Sequence, residues 1–289
     1  MGYRIVTDSN IDLTQRMIEE LDLTVGLMKF TVEGKTYTDQ GDKSEIPLSR
    51  FYDMMREGKT SITTQINTAE FESLFEPILQ NGEDVLYLGF SSGLSGTYQS
   101  ASIAAEELRE KYPERKIYTV DTLQASMGQG LIVYHAAMLR KNGTDIDALY
   151  AWVKENSPKM CAWFTVDDLN HLKRGGRVSA ATALVGTMLG IKPVLHVDDE
   201  GHLISVSKAR GRKQSLDMLV QKMEESVVDP DKQVIFISHG DCIDDAKYVA
   251  DKVRAKFGTK KIEINFVGPV IGGHAGPGVV ALFFFGTQR

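Results

Sequence analysis

Residues 84–98 read DVLYLGFSSGLSGTY, and this stretch decides the fold class. Its first part, residues 84–90, is a short and continuously apolar run of the kind found in strands buried on both faces. A turn rich in glycine and serine follows, and from about Tyr98 to Lys111 apolar residues recur at the helical period. A buried strand, a polar turn and a helix in this order predict one βα unit of a parallel sheet.

The same alternation continues in both directions from this unit. Strands or extended stretches are predicted at residues 3–7, 23–32, 35–38, 84–90, 116–120, 160–166, 191–197, 203–207, 234–239, 262–266 and 279–285. Helices are predicted at 13–21, 48–56, 68–79, 98–111, 126–140, 146–156, 180–189, 214–225 and 244–257. We therefore expect a two-domain α/β protein: a parallel doubly wound βαβ sheet domain over residues 1–160, then a second α/β domain with a mixed sheet over 161–289.

Composition narrows the classes of function. The chain has 289 residues, 25% of them charged, and a formal net charge of −6, which argues against a nucleic-acid partner. Its two cysteines, Cys161 and Cys242, are too few for a disulfide framework and predict buried thiols in a reducing compartment. Charges interrupt the first residues, and the uncharged stretch 265–288 carries six glycines and two prolines. We expect neither a signal peptide nor a membrane segment, and hence a cytoplasmic protein.

The turn at residues 89–98 is a candidate anion site. Backbone N–H groups converge in such a turn, and the helix that follows adds partial positive charge at its first turn. Ser91, Ser92 and Gly93 would supply hydroxyl and amide donors. The alternative is a well-capped turn that binds no ligand.

Residues 89–93 also match the G-x-S-x-G pattern of α/β-hydrolases. In that alternative Ser91 is the nucleophile of a serine esterase, assisted by a later aspartate and His274. No HGGG-type oxyanion motif precedes the serine, so the pattern lacks its usual context.

Three further motifs carry candidate ligand groups. Residues 60–65 (TSITTQ) form a hydroxyl cluster before a helix, and could equally be a loop and a helix cap. Residues 268–278 (GPVIGGHAGPG) form a predicted loop in which glycines such as Gly273 let a ligand approach His274. Residues 173–177 (KRGGR) place Arg177 in a basic loop suited to a carboxylate, or merely solvated.

No cofactor is expected. The six histidines form no metal-ligand spacing, and neither a P-loop nor a G-x-G-x-x-G fingerprint follows the first strand.

In order and spacing, residues 6–9 (VTDS), 91–99 (SSGLSGTYQ), 172–177 (LKRGGR) and 268–274 (GPVIGGH) resemble the DegV family. The resemblance covers essentially the whole chain. It implies a bacterial protein of two α/β domains that binds a long-chain fatty acid. It also implies a protein that is not itself an enzyme and presents the acid to a fatty-acid kinase, which forms the acyl phosphate.

The resemblance also implies residue roles. Ser92, with Ser91 beside it, and His274 would bind the carboxylate, and Arg177 would lie at the mouth of the site. Thr63 or Thr64 would lie alongside; which of the two faces the ligand stays open. The family usually has proline where this chain has Ile62 and Ile66. Further contacts with the kinase are implied for two basic residues after the predicted hairpin, Arg210 and Arg212.

Elementary energetics are compatible with that ligand. A buried carboxylate needs hydrogen-bond partners, and its negative charge would favour protonated His274. Burying about fourteen methylenes at ~0.8 kcal/mol each gives roughly 11 kcal/mol before ordering costs. The predicted helix 180–189, with Leu184 and Met188, is a candidate tunnel wall or ordinary core. A sensor of small anions is a third possibility, with an anion in the turn and no tunnel.

Overall fold

A computed structural model of the chain describes residues 2–41, 44–178 and 190–289. The predicted helix 180–189, with its candidate tunnel residues Leu184 and Met188, lies outside the described residues.

Within the described ranges, every predicted helix and strand is found, with ends that shift by a few residues. The strands are β1 (Tyr3–Asp8), β2 (Thr24–Gly26), β3 (Lys29–Val32), β4 (Lys35–Thr38), β5 (Ser61–Thr64), β6 (Asp84–Gly89), β7 (Ile117–Asp121), β8 (Met160–Thr165), β9 (Ile191–Val197), β10 (Leu203–Arg210), β11 (Val234–His239), β12 (Lys261–Phe266) and β13 (Val280–Phe285). The helices are α1 (Gln15–Glu20), α2 (Leu48–Arg56), α3 (Thr68–Gln80), α4 (Thr97–Lys111), α5 (Met127–Lys141), α6 (Ile146–Asn156), α7 (Leu169–Arg174), α8 (Arg212–Ser226), α9 (Ile243–Phe257) and α10 (Pro269–Ala275).

Two sheets confirm the predicted fold class. The first has the order β2-β1-β6-β7, and its three pairings are parallel. Its central strand β6 is buried along its whole length, as its unbroken apolar sequence predicts. The second sheet has the order β10-β9-β8-β13-β11-β12 and is mixed, because only β11 and β12 run parallel.

A third, small sheet was not predicted. Its order is β4-β3-β5, with both pairings antiparallel. Strand β5 contains most of the hydroxyl cluster at residues 60–65, for which one interpretation of the sequence was a loop before a helix. Its side chains alternate between half-buried and exposed, so the strand lacks the apolar run that would have announced it.

The glycine-rich segment 268–278 is a helix rather than the predicted loop. Pro269 occupies the first turn of α10, where its missing N–H costs nothing. Gly276, at φ +78°, ends the helix in a backbone conformation that glycine adopts without strain. The helix fixes the direction of His274, which a loop would leave undefined.

Helix α5 lies between the two larger sheets and contacts β1 and β6 of the first and β11 and β13 of the second. One hydrophobic cluster accordingly contains Leu86 and Leu88 of the first sheet together with Ala162, Phe164 and Phe283 of the second. The domain boundary near residue 160 stays a prediction. None of the helices in the described part of the chain has both the length and the apolar composition needed to cross a membrane.

Candidate functional site

An enclosed cavity of about 170 Å³ lies between elements of the two larger sheets. Its wall is mainly apolar. The apolar lining residues are Met28, Phe90, Leu94, Ala125, Ala162, Phe164, Leu172, Val197, Leu203, Val267, Val270, Ile271, Ala275, Val279, Ala281 and Phe283. For comparison, apolar cavities of about 150 Å³ in other proteins stay dry and take up benzene.

One wall of the cavity is built from strands β8 and β13. Alternate residues of a strand face the same side of a sheet, so Ala162 and Phe164 share a face, as do Ala281 and Phe283. The antiparallel register pairs Ala281 with Phe164 and Phe283 with Ala162. Each large ring therefore lies opposite a methyl group, which leaves space in front of the alanines.

Polar side chains from four separate segments also line the cavity. Strand β5 supplies Thr63, the turn after β6 supplies Ser95, the segment after α7 supplies Arg177, and α10 supplies His274. The Nε2 atom of His274 lies 2.9 Å from the Oγ1 atom of Thr63. Contacts of β5 and α7 with α10 hold these segments together.

The His274 ring is neutral in this setting. Burial, and secondly the nearby Arg177 guanidinium, lower the pKa of His274 to about 4. The prediction of a protonated His274 presupposed a carboxylate beside it. A neutral imidazole still offers one N–H donor and one acceptor nitrogen, which suits hydrogen bonds to a hydroxyl and to an acid group.

Arg177 is the positively charged residue in the cavity lining. Its Nε atom donates to the Leu94 carbonyl oxygen at 3.1 Å, and its NH1 atom donates to the Gly175 carbonyl oxygen. These bonds hold the guanidinium close to Ser95 in the following position of the turn. No aspartate or glutamate lines the cavity among the described residues, so its field favours an anion.

The serine of the turn after β6 that lines the cavity is Ser95, which differs from the two serines named in the prediction. Ser92 is exposed, and its backbone N–H points to the Asp121 carboxylate at the end of β7, so the side chain lies outside the cavity lining. Ser91 is fully buried, and its Oγ atom donates to the Gly201 carbonyl oxygen at 2.8 Å. The predicted ligand roles of Ser91 and Ser92 stay a prediction, and Ser95 is the serine of this turn that lines the cavity.

Gly93 serves a contact between chain segments rather than the cavity. A Cβ atom at this position would lie 2.8 Å from the Glu200 carbonyl oxygen and 2.9 Å from that of Gly201. The hairpin turn between β9 and β10 thus approaches the backbone of the 89–98 turn closely, which a larger residue would prevent.

Strand alternation places the two threonines on opposite faces of β5. Thr63 faces the cavity, whereas Thr64 is exposed on the other face of β5. At the positions where the family usually has proline, Ile62 is 70% exposed and Ile66 is buried. Gly273 lies outside the main cavity, where a Cβ atom would press against the Ser61 side chain.

The hydrolase alternative loses its nucleophile in this geometry. The Ser91 hydroxyl is used by the Gly201 carbonyl oxygen and is not hydrogen-bonded to a histidine, and His274 pairs with Thr63. A serine nucleophile needs a hydrogen-bonded base and access to substrate, and Ser91 has neither.

Two aspartates that follow strands hold the turn in place. Asp8, at the end of β1, accepts hydrogen bonds from the Phe90 N–H at 2.9 Å and the Tyr87 hydroxyl at 2.8 Å. Asp121 accepts from Ser92 and Leu123 N–H groups. The polar residues at these strand ends therefore position the turn, and residues that line the cavity, Phe90, Leu94 and Ser95, lie within it.

Some residues of the cavity gave no signal in the sequence. Ser126 and Ser238 lie 2.9 Å apart in the lining, and the Ser126 hydroxyl donates to the buried Asp12 carboxyl at 2.5 Å. Burial raises the pKa of Asp12 well above its usual value. The position of Ser95 could have been predicted from the sequence. A serine just before a helix often accepts a backbone N–H of its first turn, and the Ser95 hydroxyl accepts the Thr97 N–H.

The two basic residues after the hairpin differ. Arg210 is exposed at the end of β10. Arg212 is half-buried, and its Nε atom pairs with the Asp245 carboxylate at 2.8 Å. Only Arg210 keeps a side chain available to a partner without breaking an ion pair. No group of three histidine, cysteine, aspartate or glutamate side chains that could hold a metal occurs in the residues described.

An α/β protein with an enclosed apolar cavity and a cluster of hydroxyl, imidazole and guanidinium groups at its wall belongs to the class of binding proteins for amphipathic ligands. The model of an uncharacterised protein family named DegV matches residues 3–287. The chain is 48% identical over 287 residues to a DegV domain-containing protein of Clostridium perfringens, covering 99% of this chain and 98% of the relative. It is 38% identical to one of Lactococcus lactis, covering 98% and 97%. The chain belongs to the DegV family.

Solved structures agree with this assignment. A DegV family protein of Thermus thermophilus, described by its fatty acid binding, superposes with a TM-score of 0.88 at 29% identity, covering 99% of this chain and 100% of that one. A fatty acid binding DegV family protein of Streptococcus agalactiae gives 0.85 at 30%, covering 100% of both chains. The DegV protein of Bacillus subtilis, described as a fatty acid binding protein, gives 0.83 at 28%, covering 98% of both.

Proposed function

We propose that this protein binds a long-chain fatty acid, with part of its acyl chain in the apolar cavity and its carboxylate among Thr63, Ser95, Arg177 and His274. The observation that carries the proposal is that these four polar side chains line a mainly apolar cavity, with Thr63 and His274 in hydrogen-bond contact. The fatty acid binding of relatives at 28–30% identity supports the same ligand.

The chemistry of the site matches both ends of the ligand. A carboxylate that leaves water loses several kcal/mol unless it is hydrogen-bonded, and two hydroxyls, an imidazole and a guanidinium supply those bonds. The acyl chain provides the driving force, because each buried methylene contributes about 0.8 kcal/mol. A ligand carboxylate would also raise the pKa of His274 from its value of about 4.

The protein itself is proposed to be a carrier rather than an enzyme, presenting the acid to a fatty-acid kinase. The Ser91 geometry supports the first part, since the serine of the G-x-S-x-G pattern is buried and engaged with the Gly201 carbonyl. The kinase partnership rests on the family resemblance, and exposed Arg210 is a candidate contact. We propose the cytoplasm, where such a kinase finds ATP, as the location.

Mass spectrometry of the purified protein tests the ligand. Organic extraction should release a long-chain fatty acid in nearly one-to-one amount, and native and denatured spectra should differ by its mass. A protein that is free of lipid as purified and also refuses added palmitate would refute the proposal.

A reaction with ATP tests the carrier role. The loaded protein alone should form no acyl phosphate from ATP, whereas the loaded protein with a bacterial fatty-acid kinase should form it. Acyl phosphate made by the protein alone would show it to be an enzyme.

A further inference from the structure

A second cavity, of about 190 Å³, adjoins the site at His274, which lines both cavities. Since one water molecule occupies about 30 Å³ in the liquid, the second cavity has room for a group of several heavy atoms. Polar and apolar residues both line it, whereas the lining of the main cavity is mainly apolar. The residues around it are Met55, Thr60, Ser61, Ile62, His171, Arg174, Gly175, Gly273 and His274.

The charge of this second cavity is positive. Arg174 is its one charged residue, and no carboxylate lies within ion-pair distance of Arg174 among the described residues. The guanidinium is oriented by His171, because an Arg174 NH2 group donates to the His171 Nδ1 atom at 2.9 Å. Burial, and secondly Arg174, lower the pKa of His171, which keeps Nδ1 free to accept that bond.

The second cavity also contains a hydroxyl group that has no hydrogen-bond partner. The Oγ atom of Ser61 is buried and has no hydrogen-bond partner, although buried polar atoms are nearly always paired. Ser61 and Thr63 lie two residues apart on β5, so their side chains share a face of the strand. The strand thus places one hydroxyl in each of the two adjoining cavities.

We propose that the second cavity is a phosphoryl subsite, in which Arg174 and Ser61 hold the phosphate of an acyl phosphate whose chain lies in the main cavity. This inference rests on the proposed fatty-acid function and extends it to the phosphorylated product. Arginine matches the oxygens of a phosphate with its fork of N–H donors, and a free hydroxyl completes the hydrogen bonding. A simple carboxylate beside His274 would leave these groups without a ligand.

Isothermal titration of the delipidated protein with two ligands tests the inference. The ligands are palmitate and the phosphonate analogue of palmitoyl phosphate, in which a methylene replaces the bridging oxygen. Arg174→Ala should weaken binding of the analogue by about ten-fold and of palmitate by less than about two-fold. Ser61→Ala should act in the same direction with a smaller effect, and Arg174→Lys should recover part of the loss.

Lys173→Ala is the matched control, since Lys173 carries the same charge and is exposed as Arg174 is, but lies outside both cavities. Equal losses of affinity for the analogue in Lys173→Ala and Arg174→Ala would mean that only the general charge of the region matters, and would overturn the subsite. The subsite would also be overturned if the wild-type protein bound the analogue ten-fold more weakly than palmitate. The same holds if it bound inorganic phosphate but not the analogue. Failure to bind palmitate at all would instead remove the proposed function.

Discussion

His274 and Thr63 lie 211 residues apart in the chain, yet the His274 Nε2 atom and the Thr63 Oγ1 atom are 2.9 Å apart. The contact joins the edge strand β5 of the small sheet to helix α10 beside the mixed sheet. Neither segment forms the polar cluster alone. The proposed binding of an acid headgroup therefore depends on segments that are distant in the chain, and each part of the cluster can be tested separately.

The serine pair of the 89–98 turn gives the first test. Ser95→Ala removes a hydroxyl from a residue that lines the cavity and should weaken palmitate binding by about ten-fold or more, since a hydrogen bond to a charged group contributes ~1.5–3 kcal/mol. Because the same hydroxyl accepts the Thr97 N–H, thermal unfolding of the variant is measured alongside binding. Ser92→Ala is the matched control at the exposed position and should change binding by less than about two-fold. A titration in which Ser92→Ala has the larger effect would reinstate the serine that the sequence favoured.

Gly175 offers a test of the His274 position. A Cβ atom at Gly175 would overlap the His274 Nδ1 atom, so Gly175→Ala must displace the imidazole. We expect binding of palmitate to fall by about ten-fold, and binding of hexadecanol, which lacks the charge, to fall much less. The alcohol is the internal control for the cavity itself. Equal losses for acid and alcohol would mean that His274 has no particular role toward the carboxylate.

The paired strands β8 and β13 predict chain-length control. Ala162→Leu would add three carbons in front of Phe283, so the longest fatty acid bound should shorten by roughly two or three methylenes in a close-packed site. The mass distribution of acids taken up from a mixture measures this change, and overpacking should cost ~1–3 kcal/mol of stability. An unchanged distribution in a folded variant would place the acyl chain elsewhere.

Asp39 predicts a pH dependence of stability. Burial raises its pKa to about 7, so the folded state holds a proton that the unfolded state releases near pH 4. The stabilising contribution is complete below pH 4 and is lost as pH rises through 7. Asp39→Asn should therefore gain stability relative to wild type between pH 4 and 7, approaching ~4 kcal/mol at pH 8.

Urea unfolding of both proteins at pH 4.5 and pH 8 measures the difference. Asp8 and Asp12 also have a raised pKa, and the Asp39 charge is one cause of the raised pKa of Asp12, so the difference between the two proteins reports on Asp39 together with its effect on these neighbours. A difference that stays constant or shrinks with rising pH would contradict the assignment.

Sequence patterns predicted the fold well where a pattern is local. The unbroken apolar run of β6 and the periodic face of α4 identified a parallel βα unit, and the structure confirms it. Strand β5 was missed because a short edge strand with alternating polar residues has no apolar signal. Helix α10 was missed because its two internal glycines argue against a helix, and tertiary contacts outweigh that cost.

The site was predictable in type and only partly in detail. Thr63, Arg177 and His274 were identified and line the cavity, and Ser95, which was not singled out, lines it too, whereas the ligand roles of Ser91 and Ser92 stay a prediction. Which serine of a turn faces a ligand depends on hydrogen bonds from distant residues, here Gly201 and Asp121. The buried Asp12–Ser126 pair, whose members are 114 residues apart, has no local signature at all.

The opposed rings and methyl groups of β8 and β13 have an evolutionary consequence. Exchanging Phe164 with Ala281, or Phe283 with Ala162, moves the bulk from one strand to its neighbour and leaves the summed side-chain volume unchanged. Volume-conserving exchanges of this kind are the mildest that a tightly filled interior tolerates. A lineage could thus retune which lipids it accepts by two compensating substitutions, with the backbone and the acid-binding end untouched.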